Sequence, residues 1–199
     1  RKDCIFHIIL NPSFSSEEVF LGSLLRNFDV AASFVADNSV LSLRESFERF
    51  LFQKGVTEDK TIILVVDEAQ KLNESSLELL RTLLNYETNQ YKLLQLILLG
   101  QLELYNKIIG MPNFFDRVSF KLTLDPLDAE ETRSMIYFRI AQAGYHAHLQ
   151  LFDESAIKEI HLYTHGYPRQ VTMLCHKALK ALVLQNKYLV DAGLIKGII

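Results

Sequence analysis

Ile62-Ile63-Leu64-Val65-Val66-Asp67-Glu68-Ala69-Gln70 is the stretch that decides the fold. Five branched apolar residues run without a polar break into two carboxylates. An Ile/Leu/Val run that lacks alternation predicts a strand buried on both faces, as in a parallel sheet covered by helices. Ligands of such sheets bind beyond the carboxyl ends of the strands, where Asp67 and Glu68 emerge. Side chains alternate along a strand, but the chain turns at its last residue, so both carboxylates can reach one site. The pair suits Mg²⁺ handling with water activation: the first takes the metal's hydration shell, the second orients the water. The residues alone leave a second reading open, in which Asp67 caps a helix that holds Glu68 in its first turn and reaches toward Leu84.

Outward from this stretch the same grammar repeats. Cys4 to Leu10 reads as a second buried strand, stopped by Asn11-Pro12. Ser15 or Ser16 caps a helix from Glu17 to Asn27. Ser42 to Lys54 has Leu43, Phe47, Phe50 and Leu51 at helical spacing and is expected to end at Gly55. A helix over Ser75 to Leu84 follows the Asp67 strand, and Leu93 to Leu99 reads as a third buried strand ending in Gly100-Gln101. A short helix spans Leu104 to Ile108. Val118 to Leu124 alternates with period two, as an edge strand does. Strands followed by helices predict right-handed βαβ crossovers and a three-layer αβα fold.

After Asp125-Pro126 the strand signals stop. Asp128 and Glu131 have the spacing of a capping box for a helix to Ala143, closed by Gly144. Asp153 caps a helix to Thr164, Pro168 opens one to Asn186, and Val190 to Ile198 is a last short helix. The expected organisation is an α/β core over 1–125 and an all-helical domain over 126–199.

Composition bounds the function. The 199 residues are 49% hydrophobic and 23% charged with net charge −3, a globular balance without the basic excess that recruits nucleic acid or anionic membrane. Residues 1–125 hold 13 Lys/Arg against 17 Asp/Glu and residues 126–199 hold 8 against 7, an asymmetry too small to name a partner. No run reaches the roughly 18 apolar residues of a membrane span. Cys4 and Cys175 fit no metal spacing and read as reduced, partly buried thiols. His161, His165 and His176 on helices, and His146 and His148 in a loop, lack carboxylate partners at metal spacing and read as packing or solvated residues. The chain begins without Met at a strand entrance, which predicts a piece of a longer protein.

In order and spacing, Val66-Asp67-Glu68-Ala69-Gln70, Leu98-Leu99-Gly100-Gln101, Phe115-Asp116-Arg117-Val118, Asp125-Pro126-Leu127, Ala143-Gly144 and Gly166-Tyr167-Pro168-Arg169 form one set. The set resembles the AAA+ ATPases, and within them the ExeA/GspA-like secretion ATPases, which are grouped with TniB-type transposition proteins. The resemblance covers nearly the whole chain. It implies a P-loop-NTPase-like sheet followed by a helical lid, with ATP and Mg²⁺ as ligands. By it Asp67 holds the metal and Glu68 polarises the lytic water. Gln101 takes the sensor-1 position at the tip of the next strand. Arg117 takes the place of an arginine finger offered to a neighbouring subunit, and Arg169 that of a lid arginine reaching the nucleotide. Guanidinium groups suit a transition state with charge spread over three oxygens. From the residues alone, Arg117 also fits a surface ion pair with Asp116.

One departure is large: no Gly-x-x-x-x-Gly-Lys-Ser/Thr occurs among the 199 residues. In the resembled topology the strand of that loop lies beside the sensor-1 strand, so the sequence reads as a core without its P-loop unit. Three functions stay in view. The first is an ATPase motor or switch that self-associates into a ring or helix and serves a secretion or pilus machine with a protein partner, in the cytoplasm or at the inner face of the inner membrane. The second is a transposition or initiator-type ATPase that binds DNA, for which a basic stripe is missing. The third is a non-catalytic interaction module of the same shape.

Overall fold

Cys4–Ile9 (β1), Thr61–Val66 (β2) and Leu94–Leu98 (β3) form a three-stranded parallel sheet in the order β1-β2-β3, in a computed structural model that describes residues 3–30, 37–89, 91–145 and 150–199. Cys4 lies opposite Thr61 and Ile9 opposite Val66, while Ile62 lies opposite Leu94 and Val66 opposite Leu98. All three strands therefore end at one edge, and Asp67 leaves the central one.

Helices follow each strand: Glu17–Asn27 (α1) and Val40–Phe52 (α2) after β1, Glu74–Leu83 (α3) after β2, and Leu102–Ile109 (α4) with Pro112–Phe115 (α5) after β3. Each of the first three is started by a side-chain cap, from Ser16, Ser39 and Asn73 in turn, which satisfies amide groups that the helix itself leaves unpaired. Ile62, Leu64 and Val66 are fully buried and join Phe20, Leu24, Phe47 and Leu80 in one core.

Burial on both faces of the strands is corrected. The opposite parity stays open to solvent, with Phe6 66% exposed, Ile8 44% and Ile97 45%. A continuous apolar run states that both faces suit apolar neighbours; it does not state that the neighbours are present. Two further expectations change. Val118 to Leu124 forms no strand, and Phe120, Leu122 and Leu124 are exposed, because period-two alternation needs a partner ladder to become a strand. Gly55 does not end α2: a π-helical turn, Gln53–Thr57, carries the chain past it. A Cβ at Gly55 would lie 2.9 Å from Leu93 Cδ2, so this glycine serves close packing rather than termination. Cys4 is exposed rather than partly buried.

The chain divides into two compact units, Arg1–Lys121 and Leu122–Ile199. The second is helical: Ala129–Gln142 (α6), Glu154–Thr164 (α7), Pro168–Leu184 (α8) and Ala192–Lys196 (α9). Asp128 and Glu131 form a reciprocal capping box for α6, and Gly144, at φ +85°, follows its end. Ile136, Phe152, Ile160, Val171 and Leu174 centre its own core. Burial pushes the Cys175 thiol up to about 12, an unreactive packing group. His161 Nδ1 lies 3.1 Å from Thr132 Oγ1 inside this unit, while His146 and His148 fall outside the described residues. The chain thus has an α/β fold, a parallel sheet flanked by helices and followed by a helical part.

Candidate functional site

The turn after β2 is stitched to strands on both sides. Asp67 N–H donates to Ile9 O at 2.8 Å, and Ala69 N–H donates to Leu99 O at 2.8 Å. Between them Glu68 adopts the left-handed conformation, φ 53° and ψ 34°, which a side chain with a Cβ enters at a cost of about 1 kcal/mol or more. The next residues make only a 3₁₀ turn, Ala69–Lys71, and α3 begins three residues later with Asn73 as its cap. The helix-cap alternative for Asp67 and Glu68 is thereby corrected. Neighbouring strands hold the turn's backbone, so the chain leaves β2 away from helical geometry.

The carboxylates end up in different settings. Asp67 Oδ1 accepts from Glu68 N–H at 2.8 Å, leaving Oδ2 for an outside partner. Glu68 Oε2 accepts from Gln70 Nε2 at 3.0 Å and lies 3.4 Å from Lys71 Nζ. Both contacts fall on Oε2, so Oε1 remains to accept a hydrogen bond from water. Gln70 also receives the Gln101 N–H on its Oε1 at 3.2 Å. One side-chain amide therefore ties the carboxylate of the β2 turn to the backbone after β3.

That tie needs Gly100. A Cβ there would stand 2.9 Å from Gln70 Oε1 and 3.0 Å from Leu104 Cδ2. Lys107 Nζ donates to the carbonyls of Gln70 and Leu72 from α4, fixing the turn from a third direction. In the sequence Gln70 stands inside its motif without a task, and Gly100 only ends a strand. A signal is present in the sequence: a glutamine stands in each of the two strand-end motifs, at Gln70 and at Gln101.

The other named residues are placed as follows. Gln101 is the exposed N-terminal flank of α4 and makes no side-chain cap there. Arg117 is exposed just past α5, its N–H bonded to Phe114 O at 2.9 Å. It makes no ion pair with Asp116 among the described residues. The carboxylate that feels it is Glu87, held below its ordinary range first by Lys92 and then, more weakly, by Arg117. Arg169 is the second residue of α8, exposed, in the helical unit. Its turn is rigid: Gly166 sits at φ +74°, where a Cβ would lie 1.8 Å from Leu127 O, and Gly166 O accepts from Leu127 N–H at 3.0 Å.

A separate polar cleft of about 350 Å³ opens beyond β1 and β2, walled by Pro12, Ser13, Phe14 and Ser15 and by Lys71, Asn73 and Ser76. None of its walls follows β3, so it is distinct from the Gln70–Gln101 side of the turn. Among the described residues no group of three His, Cys, Asp or Glu could enclose a metal. One carboxylate oxygen at a strand end instead suits Mg²⁺, which keeps most of its water and takes few protein ligands.

Residues 1–108 match the family model described as AAA domain. The chain is 29% identical over 188 residues to general secretion pathway protein A of Aeromonas hydrophila, covering 93% of this chain and 33% of that protein. It thus spans about a third of that relative's length. Its fold is similar to Cdc6p from Pyrobaculum aerophilum, with TM-score 0.67 and 15% identity over 94% of this chain and 50% of that one. It is similar also to the Aeropyrum pernix ORC2 protein, with TM-score 0.65, 11% identity and coverages of 98% and 52%. The Thermotoga maritima RuvB Holliday junction branch migration motor gives 0.55 at 12% identity, with coverages of 98% and 60%.

Proposed function

The chain belongs to the AAA domain family, and from that premise we propose that it is the core and lid of an ATP-hydrolysing motor or switch that assembles secretion or pilus machinery. The observation that carries the chemistry is Glu68, held out of helical geometry at the end of the central strand and tied through Gln70 to Gln101. The similarity to a general secretion pathway protein supports a setting in secretion, and in this reading the chain works in the cytoplasm or at the inner face of the inner membrane. No helix among the described residues is long and apolar enough to cross a membrane.

In this reading Glu68 Oε1 accepts a hydrogen bond from the attacking water and orients it, while Gln70 keeps the carboxylate from swinging away. The chemistry that Mg²⁺ supplies when bound is charge neutralisation of the phosphates, and Asp67 Oδ2 is the oxygen that would meet its water shell. Gln101 would sense the γ-phosphate when nucleotide is bound. Arg169 acts on its own subunit's nucleotide and Arg117 on its neighbour's. This reading requires a phosphate-cradling loop that the 199 residues do not contain. Among the described residues β3 is an edge strand, which supports a further strand beside it, and the apolar sheet face of Phe6, Ile8 and Ile97 supports a covering helix.

The test is Glu68→Gln in a form that includes a Gly-x-x-x-x-Gly-Lys-Ser/Thr loop. Nucleotide binding is retained and turnover falls about 10²–10³-fold, since water orientation is lost while the metal site stays. Turnover at the parental rate removes the reading. The 199 residues alone should bind ATP weakly or not at all, and calorimetry showing micromolar, Mg²⁺-dependent binding would mean that another loop cradles the phosphates. Arg117→Ala subunits mixed with Glu68→Gln subunits regain activity, because intact pockets then meet intact fingers, whereas Arg169→Ala mixed with Glu68→Gln does not.

A further inference from the structure

Two helices carry the same exposed pattern with opposite charge. On α2, Leu41, Glu45, Glu48 and Phe52 recur at spacings of four, three and four. On α8, Met173, Lys177, Lys180 and Leu184 recur at the same spacings. At about 100° per residue each set forms one narrow stripe, apolar at both ends and charged in the middle. Both stripes are open: Leu41 is 67% exposed, Phe52 40%, Met173 56% and Leu184 86%. Glu45, Lys177 and Lys180 are exposed or half-buried, as is Glu48. Glu45, Glu48 and Phe52 also line a shallow cleft of about 410 Å³.

We propose that these stripes are the two halves of one interface, the α2 stripe of one copy docking on the α8 stripe of a second copy. Four, three, four is the spacing of a coiled-coil seam, in which such positions face a partner helix. It reads the same in both directions, so an antiparallel pairing, which also sets the helix dipoles favourably, keeps every position matched: Leu41 with Leu184, Glu45 with Lys180, Glu48 with Lys177, Phe52 with Met173.

The charges disfavour the alternatives. In the same antiparallel register α2 against α2 would set Glu45 opposite Glu48, and α8 against α8 Lys177 opposite Lys180, so seam charge favours the mixed pair. The asymmetry is not confined to two lysines. From Ile160 to Val190 the chain holds no Asp or Glu at all, and Arg169 lies beside the same stripe. Lys177 and Lys180 make no ion pair among the described residues. Arg44 and Glu48 both interact with Tyr86, and Arg49, whose Nη2 lies 3.4 Å from Ser46 Oγ, lines the same cleft as the two carboxylates, so the α8 lysines meet carboxylates that already have cations beside them. A contact that joins different surfaces of identical subunits repeats head to tail and gives a ring or an open helix. The proposal deepens the self-association part of the proposed function and is independent of its chemistry.

The experiment follows the association of the chain by sedimentation velocity across a concentration series. Glu45→Lys with Glu48→Lys, and separately Lys177→Glu with Lys180→Glu, should each weaken association about tenfold or more, since attractive exposed pairs become repulsive. An equimolar mixture of the two reversed proteins should restore it, because each one's α2 now complements the other's α8. Restoration also shows that both variants are folded. A chain that stays monomeric at every concentration, reversed proteins that associate like the parent, or a mixture that stays apart would each overturn the proposal. So would α8 reversal that leaves association intact and abolishes retention on DNA, which would assign Lys177 and Lys180 to phosphates. Turnover is not read, so failure here leaves the ATPase reading standing, and a Glu68→Gln enzyme of full activity leaves this interface standing.

Discussion

Two Asp-led turns in this chain look alike in sequence and fold oppositely. Asp128-Ala129-Glu130-Glu131 obeys every local rule. Its aspartate accepts from the Glu131 N–H at 2.8 Å, Glu131 returns a bond to the Asp128 N–H at 3.0 Å, and a helix starts at once. Asp67-Glu68-Ala69-Gln70 disregards those rules. Its aspartate accepts only from the next residue, its glutamate is left-handed, and the helix waits for Asn73. The first turn is held by its own side chains, the second by the strands on either side of it. A turn that gives up local comfort and leaves one oxygen of each carboxylate for an outside partner is the one to search for chemistry.

This contrast can be broken or sharpened by substitution, beginning with the largest effect. Gly166→Ala should destabilise the helical unit by about 3 kcal/mol, because a Cβ has no space against Leu127 O and φ is positive. Urea unfolding measures it, and a loss below that of Gly144→Ala, where φ is +85° but the surroundings are open, would mean that the Leu127 contact yields. Next, Gln70→Ala should lower turnover of a P-loop-containing form about tenfold while leaving the unfolding midpoint nearly unchanged, as a positioning amide does. A large stability loss with normal turnover would make Gln70 a structural brace.

Smaller effects test the two aspartates directly. Asp128→Ala should cost about 1 kcal/mol through its lost cap, whereas Asp67→Ala should cost roughly a few tenths, as expected of a residue away from caps and core. Equal losses in urea would erase the distinction between the two turns. In the opposite direction, Glu68→Gly should stabilise the core unit by about 0.5–1 kcal/mol through relief of the left-handed residue, while abolishing turnover. Destabilisation would show that Glu68 contributes to folding.

The same contrast explains what is legible in the sequence. Strand and helix identities are readable because they rest on local periodicity and caps: Ser16, Asp128 and Asp153 each start the helix that their spacing announces. The parallel sheet and the helical second part follow from the order of those signals. The segment from Val118 to Leu124 misleads because alternation describes two faces, not a neighbour. The site is legible as a motif and opaque as a geometry. Nothing local indicates that Gln70 spans from Glu68 to Gln101, a contact made across 31 positions of sequence. Gly100 reads as a strand terminator, and only the packed turn shows that it clears space for an amide.

The register of the sheet also bears on time. Cys4 can find Thr61 only after everything between them has been made and arranged, and β3 must then add to β2. The helical unit closes mostly between helices one or two places apart in the chain, and its backbone ties, such as Val190 N–H to Leu151 O, span less chain than Cys4 to Thr61. Rates fall as contacting residues become more distant in sequence. Of the two units, the later in the chain should therefore mature first, and the carboxylates at the sheet's edge should be among the last of these residues to reach their working arrangement.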